Sequence, residues 1–495
     1  MAQVAYIEEM HEEIENYAKE FKLDFFDTIF EVLDYKQMTE VAAFGGFPVR
    51  YPHWRFGMAY DRLQKSSTYG LSQIYELVIN NDPCYAYLLE GNSLVIQRLV
   101  MAHVLAHCDF FKNNSFFEHT NRKMIDEMAN HATRIRRYME KYGEDTVETF
   151  VDVCLSLENL IDPHSPFIKR IREESPADEA EPEKETNENI RPYMKTFLKQ
   201  MDSSVKNKEE DSEDSKEKRK QQRIPREPRR DVLGFLLEEA PLEGWQRNVL
   251  EIIRDEAYYF APQGMTKIMN EGWATYWHSR IMTEKALTDA HVIDYAEVTS
   301  GVTAASPTQL NPYRLGVALF RDIVQRWDKG RFGKEWRECQ DMAQKANWDR
   351  QLGLGQEKIF QVRRCYNDVT FIDEFFTEEF CRENKFFNFG YNSNKDQWEI
   401  ESRRFREIKN KILFMLTNSG NPFIYVVDAN YKNRGELLLQ HRHEGIGLKQ
   451  DEARSTLENL QKMWSRPVNI RTKSDDEKNV VMGYDGTTHA ETEEK

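Results

Sequence analysis

The sequence predicts a mainly α-helical protein with a small α+β domain in its C-terminal part. Long segments repeat apolar residues at helical spacing, strand-like runs cluster after residue 395, and one charged segment interrupts the helical pattern. We therefore expect a helical core domain in two halves, an insertion between them, a small domain and a tail. Their predicted bounds are 1–172 and 231–394 for the core, 173–230 for the insertion, 395–488 for the small domain and 489–495 for the tail.

The first half of the core is predicted to be mostly helical. The stretch "AYIEEMHEEIENYAKEF" has apolar residues at helical spacing with good helix formers between them. The stretch "NRKMIDEMANHATRIRRYMEKYG" repeats the pattern and ends at Gly143, which suits a helix C-cap. A further helix, "EDTVETFVDVCLSLENLI", is expected to end before Pro163.

The insertion at 173–230 differs sharply in composition from the segments on either side. It begins with acidic, proline-containing sequence, "EESPADEAEPEKETNEN", and ends in the basic stretch "KEKRKQQRIPREPRR". Such segments bury too little apolar surface to offset the entropy lost on ordering. We expect this part of the chain to be solvated and mobile.

The second half of the core begins at Asp231 and is again predicted to be helical. One of its helices, "NPYRLGVALFRDIVQRWDKG", should run from near Pro312 to near Gly330. After residue 395 a charged helix, "QWEIESRRFREIKNKILFMLTN", precedes the strand-like runs "PFIYVVDAN" and "GELLLQHRH". A helix, "KQDEARSTLENLQKMWS", and two more strands, "VNIRTK" and "NVVMGYDG", complete the predicted small domain.

Composition excludes several classes of protein. The net charge of −16 over 495 residues argues against a nucleic-acid binder, which would carry a basic surface. The chain has no apolar run of membrane-spanning length, and its acidic N-terminal stretch lacks the apolar region of a secretory signal. Six scattered cysteines without a C-x-x-C pair read as reduced thiols. We therefore predict a cytoplasmic protein without a transmembrane segment.

A pair of histidines in "HVLAH" is the first candidate for a metal site. His103 and His107 stand four residues apart, and on a helix such residues share one face. This spacing allows two imidazoles to bind one ion, as in the H-E-x-x-H zinc motif. The alternative is a pair of core histidines that are satisfied by hydrogen bonds.

The stretch "MNEGWATYWH" supplies a candidate third ligand, Glu271. A carboxylate before glycine and an aromatic residue resembles the second helix of the gluzincin metallopeptidases, in which it carries the third zinc ligand. This resemblance implies a gluzincin-like arrangement of the helical core, with His103, His107 and Glu271 as metal ligands. Zinc suits two nitrogens, one oxygen and an open position, although another divalent metal such as iron or manganese also fits this set.

The chain departs from the gluzincin pattern in two respects. The two motifs are much farther apart in sequence, and Val104 occupies the position of the catalytic glutamate. Valine cannot accept a proton, so Glu256 and His278 become the candidate catalytic residues. His278 could act instead as a fourth ligand or as a hydrogen-bonding partner of a ligand. In the alternative reading, Glu271 pairs with an arginine and the neighbouring tryptophans are core packing.

Four longer stretches together resemble the SpoVR family, stage V sporulation protein R. They are "YPHWRFG" at 51–57, "HVLAHCDFFKNN" at 103–114, "APLEGWQRNVLEIIRDEAYYFAPQGMTKIMNEGWATYWH" at 240–278 and "NPYRLG" at 311–316. The resemblance implies a bacterial protein that takes part in forming the spore cortex, a peptidoglycan layer.

Two functions follow from these observations. The first is a metal-dependent hydrolase that cuts an amide or peptide bond in a peptidoglycan precursor or a peptide-like substrate. The second is a non-catalytic scaffold or assembly factor with a degenerate metal site, which would bind other sporulation proteins. Val104 favours the scaffold, whereas Glu271 in its aromatic helix favours the hydrolase.

Overall fold

The computed structural model describes residues 2–68, 76–168, 224–306, 309–393, 395–474 and 476–494. The helices are α1 (Ala2–Glu20), α2 (Tyr35–Ala43), α3 (Trp54–Thr68), α4 (Leu94–Asn113), α5 (Met124–Tyr142), α6 (Glu144–Ser156), α7 (Val232–Glu239), α8 (Gly244–Met265), α9 (Lys267–Ile281), α10 (Val292–Val302), α11 (Pro312–Asp328), α12 (Gly333–Glu338), α13 (Met342–Ala346), α14 (Gly355–Cys365), α15 (Asp368–Phe375), α16 (Glu378–Glu383), α17 (Phe405–Leu416) and α18 (Gln450–Trp464). The strands are β1 (Thr28–Leu33), β2 (Glu76–Ile79), β3 (Cys84–Leu89), β4 (Asn388–Asn392), β5 (Gln397–Ser402), β6 (Phe423–Tyr431), β7 (Glu436–Arg442), β8 (Val468–Lys473), β9 (Asn479–Tyr484) and β10 (His489–Glu493). The protein is thus mostly helical with a five-stranded sheet near its C-terminal end, as the sequence predicts.

The chain forms two compact units. Unit 1 comprises Met1–Asn159 and Glu243–Pro422, and unit 2 comprises Leu160–Leu242 and Phe423–Lys495. In unit 2 the backbone of Arg229 pairs with that of Val426, with N–O distances of 2.9 and 2.7 Å, and α7 packs against β6. The predicted insertion lies outside the described residues except for 224–230, which belong to unit 2.

Unit 1 is built around α4, which is buried on every side. Ser93 caps its N-terminus through a side-chain hydrogen bond to the backbone N–H of Ile96, and the helix packs against α1 and α9. Because its buried residues lie on all sides of the helix, α4 shows little amphipathic pattern. Among the described helices, α4 alone has the length and apolar composition to cross a membrane, but most of it is buried inside this core.

Two glycines allow α9 and α11 to touch. A Cβ atom added at Gly272 would lie 2.4 Å from the Cα atom of Gly316, closer than non-bonded atoms approach. The glycine that follows Glu271 therefore has a packing role, since it lets α11 lie directly against the helix that carries the carboxylate.

Three short strands interrupt the helices of residues 1–172, which are otherwise mostly helical as predicted. They form a sheet in the order β1-β3-β2, with β1 parallel and β2 antiparallel to β3. Short apolar runs such as "TIFEVL" and "CYAYLL" carry no periodicity that separates a strand from a buried helix. The predicted charged helix after 395 is partly wrong, because Gln397–Ser402 is a strand paired with β4 and α17 starts only at Phe405.

The sheet of unit 2 has the strand order β10-β9-β8-β7-β6. Strands β7 and β8 are parallel, and α18 connects them, as a parallel crossover requires. The side chains of Leu457, Leu460 and Met463 on α18 are buried. The four predicted strands are present, and a fifth, β10, occupies the residues predicted to be a tail.

Candidate metal centre

The two histidines of α4 lie on one face of the helix, as their spacing predicts. Their ring centroids are 4.6 Å apart, and the residues are only 2% and 5% exposed. An imidazole pair this deeply buried must be matched by polar partners inside the protein. Those partners come from α9.

Glu271 of α9 faces both histidines. Its Oε2 atom lies 3.6 Å from Nε2 of His103 and 3.4 Å from Nε2 of His107. Its Oε1 atom accepts a hydrogen bond from Nζ of Lys267 at 2.6 Å. Candidate ligand atoms of the two histidines and the glutamate all lie within 4.8 Å of one another, so this buried group could hold a metal ion.

The Nδ1 atom of His107 is fixed by Asn270, the residue before Glu271. Nδ1 of His107 lies 2.9 Å from Oδ1 of Asn270, an oxygen that only accepts hydrogen bonds. Nδ1 of His107 therefore carries a hydrogen, and Nε2 points towards Glu271. Metal-binding histidines are commonly held in this way, with the distal N–H donating to a carbonyl or carboxylate.

His278 plays the same part for His103. The two Nδ1 atoms are 2.8 Å apart, so one ring donates to the other. Burial lowers the pKa of His278 well below its usual value, so this ring is neutral. For His103 to offer Nε2 to a metal ion, its Nδ1–H must donate to His278. His278 is thus a hydrogen-bonding partner of His103.

The charge on Glu271 is maintained despite burial. Burial alone raises the pKa of this carboxyl, but the two histidines and Lys267 together bring it well below its usual range. Both Oε2–Nε2 distances exceed the usual length of an N–H···O hydrogen bond, and Oε2 has no hydrogen-bond partner among the described residues. A buried carboxylate oxygen that faces two ring nitrogens matches the donor set of a divalent cation.

The position of the missing glutamate is apolar in the structure as well as in the sequence. Val104 is fully buried in the hydrophobic core of unit 1. Asp109, the next acidic residue on α4, accepts hydrogen bonds from the Trp273 indole, the Arg363 guanidinium and the backbone of Asp24. These contacts tie α4 to α9 and α14, so Asp109 has a packing role.

Glu256, the other predicted catalytic residue, belongs to a second buried group, which we call the Arg50 cluster (Arg50, His131 and Glu256). Its Oε2 atom lies 2.6 Å from Nη2 of Arg50, and its Oε1 atom lies 3.2 Å from Nδ1 of His131. None of its described contacts is with His103, His107 or Glu271. The structure therefore does not bring this candidate base together with the three candidate ligands.

A distant carboxylate anchors the start of α9. Oδ2 and Oδ1 of Asp368 accept hydrogen bonds from the backbone N–H groups of Ile268 and Met269 at 2.8 and 2.9 Å. Burial raises the pKa of Asp368 to about 7, partly offset by these donors. The sequence offers no local signal for this contact, since the cap lies on α15.

Comparison with known proteins identifies the family. The family described as SpoVR like protein matches residues 2–421, and the SpoVR-like C-terminal domain matches residues 422–475. An Escherichia coli (strain K12) protein named "Uncharacterized protein YcgB" is 29% identical over 490 residues, which are 94% of this chain and 91% of that protein.

No solved structure matches the chain, so the gluzincin-like arrangement stays a prediction. The boundary between the two family matches falls next to the start of β6, where the second segment of unit 2 begins. Membership of the SpoVR family supports a sporulation-related protein. The resemblance seen in the four sequence stretches is confirmed: the chain belongs to the SpoVR family.

Proposed function

We propose that this protein is a metal-dependent hydrolase that acts on an amide or peptide bond during formation of the spore cortex. The observation that carries the proposal is the convergence of two imidazoles and one carboxylate oxygen inside unit 1. Its substrates would be peptidoglycan precursors or muropeptides, and a cytoplasmic enzyme would meet the precursors.

Three residues would hold the metal ion, and two others orient the imidazole rings. His103, His107 and Glu271 would hold the ion, with zinc as the first expectation and iron or manganese as alternatives. Bound there with an open position, a divalent ion supplies Lewis acidity towards a substrate carbonyl. Asn270 and His278 fix the two imidazole rings through their Nδ1 atoms.

Proton transfer must come from a residue other than position 104. In this proposal His278 acts as a proton donor through Nε2, because its Nδ1 accepts from His103 and its hydrogen then lies on Nε2. That Nε2 atom is buried and has no hydrogen-bond partner among the described residues. Glu256 is the weaker choice, because both of its carboxylate oxygens are engaged by Arg50 and His131.

One observation favours the alternative of a non-catalytic assembly factor that binds other sporulation proteins. Val104 is fully buried among apolar neighbours, so α4 supplies no base beside the histidines. A metal ion held there would then stabilise unit 1 without turnover.

Both functions include a metal ion bound at the same site, and metal analysis of the purified full chain tests this assumption. We expect about one divalent ion per chain in the wild type and almost none in His103→Ala or Glu271→Gln, because the loss of one of three ligands is not compensated. His119→Ala, which changes an exposed histidine, is the matched control and should keep the ion. Equal metal contents in all four proteins would remove the assignment.

A spore-forming host separates the hydrolase from the scaffold. In a strain that lacks the chromosomal copy, the wild-type chain should restore cortex thickness and heat resistance, whereas Glu271→Gln should not. A scaffold tolerates this near-isosteric change, so full rescue by a stably produced Glu271→Gln chain would favour the assembly factor.

A further inference from the structure

Unit 1 contains a small cavity beside the metal centre, with several polar side chains in its walls. Its volume is about 250 Å³, and its walls come from α9, α10 and α11. The polar lining consists of four hydroxyl side chains and two guanidinium groups: Thr275, Ser279, Thr299, Thr303, Arg314 and Arg321. The cavity is suited in size to one small chemical group rather than to a whole extended ligand.

The two arginines give the cavity a positive charge that no described acidic residue neutralises. Arg314 and Arg321 lie about two helical turns apart on α11 and so share one face. Neither forms an ion pair with any carboxylate in the described parts of the chain. The closest polar contact of Arg321 is with the Ser279 hydroxyl, 3.3 Å from Nη2.

A buried hydroxyl in the wall also lacks a partner. Thr275 is 2% exposed, and its Oγ1 atom makes no hydrogen bond within the described structure. A threonine inside a helix often bonds back to the carbonyl one turn earlier, and a buried polar atom usually finds a partner. This unsatisfied hydroxyl lines the same cavity as the two guanidinium groups.

The cavity adjoins the three candidate ligands along two helices. Thr275 and Ser279 follow Glu271 on α9 by one and two turns, roughly 6 and 12 Å along the axis. On α11, the ring of Tyr313 stacks on His103 at 6.2 Å, and Arg314 is the next residue. A group held in the cavity would thus lie about one helical turn from the metal centre.

We infer that this cavity binds an oxyanion, either a carboxylate or a phosphate group. Guanidinium groups recognise both through paired N–H donors, and the hydroxyls add further donors. Oxyanion binding by the cavity does not depend on the proposed function. The further step, that this oxyanion belongs to the substrate of the metal centre, rests on the proposed function.

Isothermal titration calorimetry of the full chain with inorganic phosphate, and separately with acetate, tests the inference at constant ionic strength. Arg314→Gln and Arg321→Gln should each weaken binding at least about tenfold, because a charge-assisted hydrogen bond is lost. Thr275→Val keeps the side-chain shape and should weaken binding less. Arg406→Gln, an exposed change on α17, is the matched control and should bind as the wild type does. The stronger of the two titrations distinguishes a phosphate site from a carboxylate site.

Glu271→Gln separates this inference from the metal hypothesis. Binding should persist in this variant, because the cavity does not need the ion. Three results would overturn the inference: no binding of either anion by the wild type, equal affinities in the arginine variants and the control, or binding that disappears with the metal and ignores the arginines. A wild type without metal would refute the proposed function and leave the oxyanion result readable.

Discussion

Unit 1 buries two glutamates, Glu271 and Glu256, that look alike in composition but differ in their surroundings. Each is about 95% buried and lies near at least one histidine. Glu256 faces the guanidinium of Arg50, so its charge is balanced within the cluster. Glu271 turns one oxygen to the exposed Lys267 and the other to two imidazoles.

The hydrogen-bond partners of the carboxylate oxygens distinguish a structural carboxylate from a candidate metal ligand. In the Arg50 cluster both carboxylate oxygens have a cation or a ring N–H beside them, and the group is complete. In the metal centre, Asn270 and His278 occupy the Nδ1 atoms and leave both Nε2 atoms directed at Oε2 of Glu271. Burial alone does not mark a site; a buried carboxylate oxygen that faces two ring nitrogens without a hydrogen bond of normal length does.

The strongest test of this comparison is to remove the cation of the Arg50 cluster. Arg50→Ala should lower the free energy of unfolding by about 3–5 kcal/mol, because it leaves a buried carboxylate without its partner. Metal content per folded chain should stay unchanged. Urea denaturation followed by tryptophan fluorescence, with metal analysis of the folded fraction, measures both quantities.

The matched control for Arg50→Ala is Arg55→Ala. Arg55 is half-exposed and lies 3.4 Å from Glu158, so its loss should cost less than about 1 kcal/mol. A similar cost for the two changes would mean that the Arg50 cluster is not the closed, charge-balanced group described above.

Asp368 offers a third kind of buried carboxylate, one satisfied by peptide N–H groups. Its pKa is about 7 in the folded chain, against an ordinary 3.8, so the folded state holds this proton more tightly than the unfolded state. The stabilising contribution is therefore fully present below about pH 4 and is lost as the pH rises through 7. The wild type should lose as much as about 4 kcal/mol over this range relative to Asp368→Asn, which cannot ionise.

Parallel urea denaturations of both chains between pH 4 and pH 8 measure this difference, since other titrating groups cancel. Asp341→Asn, which changes an exposed helix cap on α13, should show no such trend relative to the wild type. A difference between wild type and Asp368→Asn that stays constant with pH would show that Asp368 titrates alike in both states.

The parts of the site that could be predicted from sequence are those fixed by local geometry. His103 and His107 share a face because four residues make about one helical turn, and Glu271 is flagged by the "NEGW" motif. The helices of the core and four of the five strands of unit 2 follow from sequence patterns in the same way. The short strands of unit 1 cannot be predicted in this way, because their apolar runs carry no periodic signal.

The parts that could not be predicted depend on contacts between distant segments. Glu256 is a candidate base by sequence, but its partner Arg50 lies 206 residues away and cannot be inferred from its neighbours. The role of Arg314 and Arg321 cannot be predicted from sequence either, because the walls of the cavity come from three separate helices. Asn270 stands next to Glu271 in the sequence, but its contact with His107 depends on the packing of α4 against α9.

The smallest expected effect concerns Asn270, which orients a histidine beside Glu271 and has no counterpart beside Glu256. Asn270→Ala removes the acceptor that fixes His107 while leaving all three candidate ligands in place. Loss of such an outer partner typically weakens metal affinity by about 10- to 100-fold, or about 1.4–2.7 kcal/mol. Competition with a chelator of known affinity measures the change, and Asn347→Ala, an exposed asparagine, is the control. If Asn270→Ala bound metal as tightly as the wild type, the orientation of His107 would not matter to the site. Glu271 would then differ from Glu256 only in the absence of a neighbouring arginine.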